Sequence, residues 1–134
     1  MAYLIDSDWV IDHLANVPEA TQLFDELSEM GRLAISVVTY MEVYEGILRS
    51  PDPARAEEQF QMFVSAVPVL PFSPAIAVRC ALLRHELRQT GKRVNSRALD
   101  LVIAATALEH DLTLVTRNTN DYKDIPDLTL HQSA

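Results

Sequence analysis

The segment "ALDLVIAATALEHD", residues 98–111, is apolar around almost its whole circumference when it is placed on a helix. A helix that lacks a polar face has to be covered on every side, so we expect it at the centre of the molecule. Elsewhere in the chain, short apolar runs alternate with stretches of helical periodicity. This alternation predicts an α/β fold with a central, mainly parallel sheet flanked by helices.

The expected elements follow from apolar patterning and from proline and glycine positions. Helices are expected over residues 19–30, where Gly31 marks the stop, over 38–48, from Pro53 to 67, and from Pro74 to Gly91. Strands are expected at residues 3–5, 33–36, 69–70, 112–116 and 128–130.

Length and composition narrow the class of protein. A chain of 134 residues is expected to form a single domain over residues 1–134 with one core. Its one cysteine, Cys80, excludes an internal disulfide framework and a cysteine zinc site. It contains neither a run of about 20 apolar residues nor a signal-peptide pattern, so we expect a cytoplasmic protein without a membrane anchor.

The charge is unevenly distributed. The net charge of −8 argues against a general nucleic-acid coat protein. Residues 79–97 nevertheless carry six basic side chains against one acid, Glu86. This basic segment is typical either of a solvated helix face with its loop or of a local site for a polyanion.

Four acids stand out because each borders an apolar context: Asp6, Glu42, Asp100 and Asp121. Each one alone has a structural explanation, such as a helix cap at Asp6 or a turn residue at Asp121. All four, however, follow predicted strands or begin predicted helices. In parallel sheets, ligand sites gather beyond the carboxyl ends of the strands.

Carboxylates gathered at one sheet edge would need a counter-charge. Two carboxylates about 4 Å apart repel by roughly 4 kcal/mol at an effective dielectric constant of 20. A ligand set made only of oxygen favours Mg²⁺ or Mn²⁺ over zinc. Such a cation can activate a water molecule toward a phosphodiester. The pattern therefore favours a metal-dependent hydrolase.

Four blocks carry a resemblance to a known family: "LIDSDWVI", "SVVTYMEVYEGI", "LDLVIAATAL" and "LTLVTRNTNDY". In this order they resemble the PIN-domain ribonucleases, and among these most closely the VapC-type toxins of bacterial toxin–antitoxin pairs. The resemblance implies a PIN-like fold with a parallel sheet of four to five strands. It also implies an endoribonuclease dependent on Mg²⁺ or Mn²⁺ that cuts with an activated water and leaves a 5′-phosphate.

The resemblance also assigns site residues. Asp6, Glu42 and Asp100 match the three acids that centre the family's metal site. Asp121 is the expected fourth acid, although many relatives also carry an acid where this chain has Asn118. Three residues are expected beside the site without holding the metal directly: Asp8, Thr116 and Asn118.

Partners follow from the same resemblance. We expect an RNA substrate, cut in a loop of transfer or ribosomal RNA, and a small cognate antitoxin that covers the site. From the basic segment, Lys92, Arg93 and Arg97 are expected to bind RNA phosphates. A homodimer is also expected, with exposed apolar side chains forming its interface or the antitoxin groove: Phe60, Met62 and Phe63.

Two alternatives remain open from the sequence. "DSDWV" satisfies the D-x-D-x-[TV] pattern of haloacid-dehalogenase-like phosphatases, in which Asp6 would be phosphorylated. These enzymes also resemble this chain in having an apolar strand before the motif. The other alternative is a catalytically inactive PIN-like scaffold that binds proteins.

Overall fold

The computed structural model describes residues 1–132, and its strands and helices alternate as the sequence predicts. The four strands are β1 (Ala2–Ile5), β2 (Arg32–Ser36), β3 (Val69–Leu70) and β4 (Thr113–Val115). The six α-helices are α1 (Ser7–Leu14), α2 (Pro18–Met30), α3 (Val37–Leu48), α4 (Pro53–Ala66), α5 (Pro74–Gln89) and α6 (Ala98–Glu109).

The strands form one parallel sheet in the order β3-β2-β1-β4. Strand β1 is central, since Tyr3 is paired with Leu33 of β2 on one side and with Thr113 of β4 on the other. The predicted α/β class and parallel sheet are confirmed. All four strands end at the same edge, from which α1 and α3 leave directly.

The fifth predicted strand, residues 128–130, is wrong as a full strand. Only an isolated parallel bridge joins Leu130 to Leu114. The chain reaches this bridge through Pro126 and through Asp127, whose φ of 65° lies in the left-handed region. The pairing segment starts only after this turn, and it meets β4, which is itself three residues long, at a single residue.

The junction of α2 and β2 depends on a glycine. Helix α2 ends at Met30, and the next residue, Gly31, passes close to the N-terminus of the chain. A Cβ atom at Gly31 would lie 2.0 Å from the carbonyl oxygen of Met1. The close approach allows the Arg32 N–H to donate to that carbonyl at 3.1 Å, which aligns the first residues of β1 and β2.

Apolar side chains pack on both faces of the sheet. On one face lie α5 and α6, and α6 is central as predicted, with Leu101, Ala104 and Ala105 fully buried. On the other face lie side chains of α1 to α4. No helix within residues 1–132 is long and apolar enough to cross a membrane.

One expected surface residue lies in this second core. Phe60 is fully buried, so its assignment to an exposed interface is wrong. Its ring packs beside those of Tyr40 and Phe63, with centroids 4.8 and 6.3 Å away. Phe63 is partly buried, whereas Met62 is 69% exposed.

Candidate active site

Asp6 follows the last residue of β1 and lies at the carboxyl edge of the sheet. Its carboxylate accepts one hydrogen bond from the N–H of Ser7, at 2.8 Å, and another from the hydroxyl of Thr116, at 2.7 Å. The bond from Ser7 caps the N-terminus of α1, which is the structural explanation that the sequence offers for Asp6. The second ties Asp6 to the end of β4, where Thr116 follows the last strand residue.

Asp6 is only 6% exposed, and this burial has an electrostatic consequence. Burial raises the pKa of its carboxyl group, and the charges of Asp8 and Asp100 raise it further. The hydrogen bonds from Thr116 and Ser7 oppose this effect without cancelling it. A buried carboxylate near two other acids is therefore held in a position that favours a positive counter-charge.

Glu42 reaches the same place from α3. This helix begins directly after β2, because Ser36 caps it by accepting a hydrogen bond from the N–H of Thr39 at 3.1 Å. Burial raises the pKa of the half-buried Glu42, followed by the charge of Asp6 and then that of Asp100. The charges of Asp6 and Asp100 therefore act on Glu42, while the assignment of the three acids as metal ligands stays a prediction.

Asp100 lies in the first turn of α6 and has a partner that the sequence analysis missed. The hydroxyl of Tyr122 donates to Oδ1 of Asp100 at 3.2 Å. Burial raises the pKa of Tyr122 far above its usual range, and the charges of Asp6, Asp100 and Glu42 add to the effect. Tyr122 lies in the "NDY" block of the sequence, but burial of its ring in the core explains a tyrosine at this position equally well.

The remaining predicted acids lie farther out. Asp121 is exposed in a short turn, Thr119–Asp121, and its charge acts on Arg97. Its role as a fourth acid stays a prediction. Asp8 is also exposed, although its charge acts on both Asp6 and Glu42.

Asn118 contributes through its backbone. Its side chain is exposed, while its N–H donates to the hydroxyl oxygen of Thr116 at 3.1 Å. Because Thr116 accepts this bond, its hydroxyl hydrogen is directed to Asp6. The backbone of Asn118 thereby orients the hydroxyl of Thr116, which in turn orients the carboxylate of Asp6.

Arg97 does not have the expected role. It is 8% exposed and forms a bidentate pair with Asp124, with Nη1–Oδ2 and Nη2–Oδ1 distances of 3.0 and 2.8 Å. Its assignment as an RNA phosphate contact is therefore wrong, because both terminal nitrogens are engaged in a structural ion pair. Lys92 and Arg93 are exposed, as phosphate contacts must be.

A surface cleft lies beside the acids. Glu42 and Asp100 line it together with residues 95–99, at the end of the basic segment. Arg84 and Arg88 both donate to the side-chain oxygen of Asn95, at 3.3 and 3.2 Å, so the basic side chains surround this loop. Two acids therefore line the cleft, and two arginines contact the loop residue Asn95 that also lines it.

The donor set fits a hard divalent cation. It consists of carboxylate oxygens, which Mg²⁺ and Mn²⁺ prefer. Within residues 1–132, no three histidine, cysteine, aspartate or glutamate side chains are grouped tightly enough to enclose a metal ion. The oxygen donors of these acids fit Mg²⁺ or Mn²⁺ better than zinc, which prefers nitrogen and sulfur ligands.

Comparisons with known proteins agree with this geometry. Residues 3–128 match the family model of the PIN domain. Ribonuclease VapC2 of Rickettsia felis is 28% identical over 131 residues, covering 97% of this chain and 96% of the relative. The tRNA(fMet)-specific endonuclease VapC of Shigella flexneri is 30% identical over 125 residues, covering 93% and 92% respectively.

A solved structure extends the likeness to three dimensions. VapBC2 from Rickettsia felis, bound to a DNA fragment from its promoter, contains a chain similar to this one with a TM-score of 0.86. The identity is 25%, and the alignment covers 100% of both chains.

The chain belongs to the PIN-domain family, and the predicted likeness to its VapC-type ribonucleases is confirmed. The haloacid-dehalogenase-like alternative is thereby wrong.

The raised pKa of Glu42 makes a testable prediction about stability. Folding raises the pKa of the Glu42 carboxyl, so its charged form is less stable in the folded protein than in the unfolded chain. The free energy of unfolding therefore falls as the pH rises through the pKa that this carboxyl has in the unfolded chain. Glu42→Gln removes this effect, so in EDTA at pH 7 its free energy of unfolding should exceed that of the wild type by about 1 kcal/mol. The difference should shrink toward zero below about pH 4.

Urea denaturation at the two pH values measures this difference. The control is Glu45→Gln, an exposed residue on the same helix, whose effect should stay below about 0.5 kcal/mol at either pH. Equal stability of Glu42→Gln and the wild type at pH 7 would contradict the electrostatic cluster.

Proposed function

We propose that the protein is an endoribonuclease toxin that depends on Mg²⁺ or Mn²⁺ and belongs to a toxin–antitoxin pair. The observation that carries the proposal is the placement of three acids at the carboxyl edge of the sheet, where Asp6 is buried at the end of β1 and Glu42 and Asp100 line one cleft. Repulsion among these acids favours binding of a divalent cation. The family relationship supplies the reaction class, hydrolysis of RNA.

Each residue has a defined task in this proposal. Asp6, Glu42 and Asp100 would hold the cation, with Asp121 as the fourth acid. Thr116 fixes the orientation of Asp6, whose side chain is buried at the edge of the sheet. When bound, the divalent cation supplies Lewis-acid chemistry toward a phosphodiester.

The substrate is proposed to be a loop in a structured RNA, of the transfer or ribosomal class. The Shigella relative is by name specific for tRNA(fMet), which supports the transfer RNA class. Unpaired loop bases can be splayed out and recognised, whereas the bases of an RNA duplex are poorly accessible. Lys92 and Arg93 are exposed, and Arg93 donates to the hydroxyl of Ser96, which lines the cleft, so both would bind phosphates of the substrate.

The proposed partner is a small antitoxin. The supporting observation is that similar solved structures are toxin–antitoxin assemblies, among them VapBC from Salmonella typhimurium. An apolar groove between α1, α3 and α4, lined by Ile11, Leu14, Val43 and Ile47, would accept an apolar segment of the antitoxin.

A second copy of the chain would pack on exposed apolar residues of α5, Val78 and Leu82. Sedimentation of the protein with and without its antitoxin tests both associations.

Cleavage of RNA tests the proposed function directly. We expect purified wild type to cut a panel of transfer and ribosomal RNA loops in Mn²⁺ or Mg²⁺ and to be inactive in EDTA. Asp100→Asn should lose at least about 100-fold in rate, because a metal-holding carboxylate becomes a neutral amide.

The matched control is Asp111→Asn, the same chemical change at an exposed position just beyond α6. Its φ of 54° is one that asparagine accepts. Equal cutting by wild type and Asp100→Asn would reveal a contaminating nuclease and contradict the proposal. A wild type that binds no divalent cation and cuts no RNA would favour the inactive scaffold.

Arg93 and Arg97 should behave differently when each is replaced by alanine. In the inactive Asp100→Asn background, Arg93→Ala should reduce the salt dependence of RNA binding by about one unit of slope. Arg97→Ala should leave that slope unchanged and lower the free energy of unfolding by about 3 kcal/mol, because it leaves Asp124 without its partner. Binding titrations at several salt concentrations and urea denaturation measure the two effects. A reduced slope for Arg97→Ala would contradict this assignment.

A further inference from the structure

We infer that Tyr122 is a positioning residue that fixes the carboxylate of Asp100 for cation binding. The inference deepens the proposed function and rests on it. Tyr122 lies one residue beyond the predicted fourth acid, and the sequence analysis gave it no role. Its assignment comes from its contact and its surroundings.

The contact is direct and buried. The hydroxyl of Tyr122 donates to Oδ1 of Asp100 at 3.2 Å, and the tyrosine is 1% exposed. This contact places a neutral donor directly against one of the three acids, and the charges of Asp6 and Glu42 act on the same buried tyrosine.

Both ends of this hydrogen bond are fixed by packing. Tyr122 belongs to the same buried cluster as Leu101 and Ala104 of α6, the helix that carries Asp100. The backbone N–H of Tyr122 donates to the carbonyl of Thr119 at 3.1 Å, which closes the preceding turn. The tyrosine ring is therefore held against the first turns of α6.

An ion pair adds a second link between the same two segments. Arg97, immediately before α6, binds Asp124, which lies two residues after Tyr122. The loop that carries the tyrosine is thereby fastened to the start of the helix. This partly buried pair therefore helps to hold the tyrosine beside the helix that carries Asp100.

The hydrogen bond has a clear consequence for Asp100. With Oδ1 engaged by Tyr122, rotation of the carboxylate is restricted, and the lone pairs of Oδ2 remain for a cation or its waters. Phenylalanine would keep the ring and its packing while removing the donor. Side chains that orient metal ligands typically change metal affinity or activity by 10–100-fold when they are replaced.

The test compares Tyr122→Phe with Tyr3→Phe in full-length protein stripped of metal. Tyr3 is a matched control because it is 2% exposed, lies in the other core cluster and has a hydroxyl that donates to the Met1 sulfur at 3.5 Å, away from the three acids. Calorimetric titration with Mn²⁺ should give a Kd about tenfold higher for Tyr122→Phe than for wild type. Tyr3→Phe should match wild type.

A second readout separates positioning from loss of structure. The Mn²⁺ concentration for half-maximal RNA cleavage should rise by the same factor in Tyr122→Phe, and saturating Mn²⁺ should restore most of the rate. A partly unfolded variant would not recover in this way.

Two results would overturn the inference alone: a Kd for Tyr122→Phe within twofold of wild type, or an equal loss in Tyr3→Phe. Wild type that neither binds Mn²⁺ nor cleaves RNA would overturn the proposed function and this inference with it.

Discussion

The site depends on one hydrogen bond, which Thr116 donates to Asp6 across the ends of two neighbouring strands. Parallel pairing of β1 with β4 brings these residues together, and the N–H of Asp6 continues the ladder by donating to the carbonyl of Val115 at 2.9 Å. The hydroxyl stabilises the charged form of a buried carboxyl group. The sheet register therefore determines where the first acid points.

The other acids are placed by helices that begin at the same edge. Helix α3 leaves β2 without a loop and brings Glu42 toward Asp6, while α6, surrounded by apolar side chains, brings Asp100 from the other side. Repulsion among these acids opposes folding, and the burial of apolar side chains in the two cores offsets it. A fold that retains such repulsion has an electrostatic reason to bind a cation, as the proposed function requires.

Much of the architecture could be predicted, because strands, helices and the acids at their ends leave local signals in the sequence. Asp6 directly follows an apolar run, and its position at the sheet edge follows from that run alone. The roles of Arg97 and Phe60 could not be predicted, because they depend on partners distant in sequence. Asp124 is 27 residues from Arg97, and it converts a member of a basic segment into a buried ion pair. The contact of Tyr122 with Asp100 could not be predicted, because a buried tyrosine gives the same sequence pattern whether or not its hydroxyl has a hydrogen-bond partner.

Anomalous diffraction from a crystal of the wild-type protein grown with Mn²⁺ tests the central claim most directly. The account predicts an anomalous peak at the carboxyl edge of the sheet, within ligand distance of at least one carboxylate of Asp6, Glu42 or Asp100. The hydroxyl of Tyr122 should remain on Asp100 in that structure. A well-ordered crystal at saturating Mn²⁺ with no peak near these three acids would contradict the account.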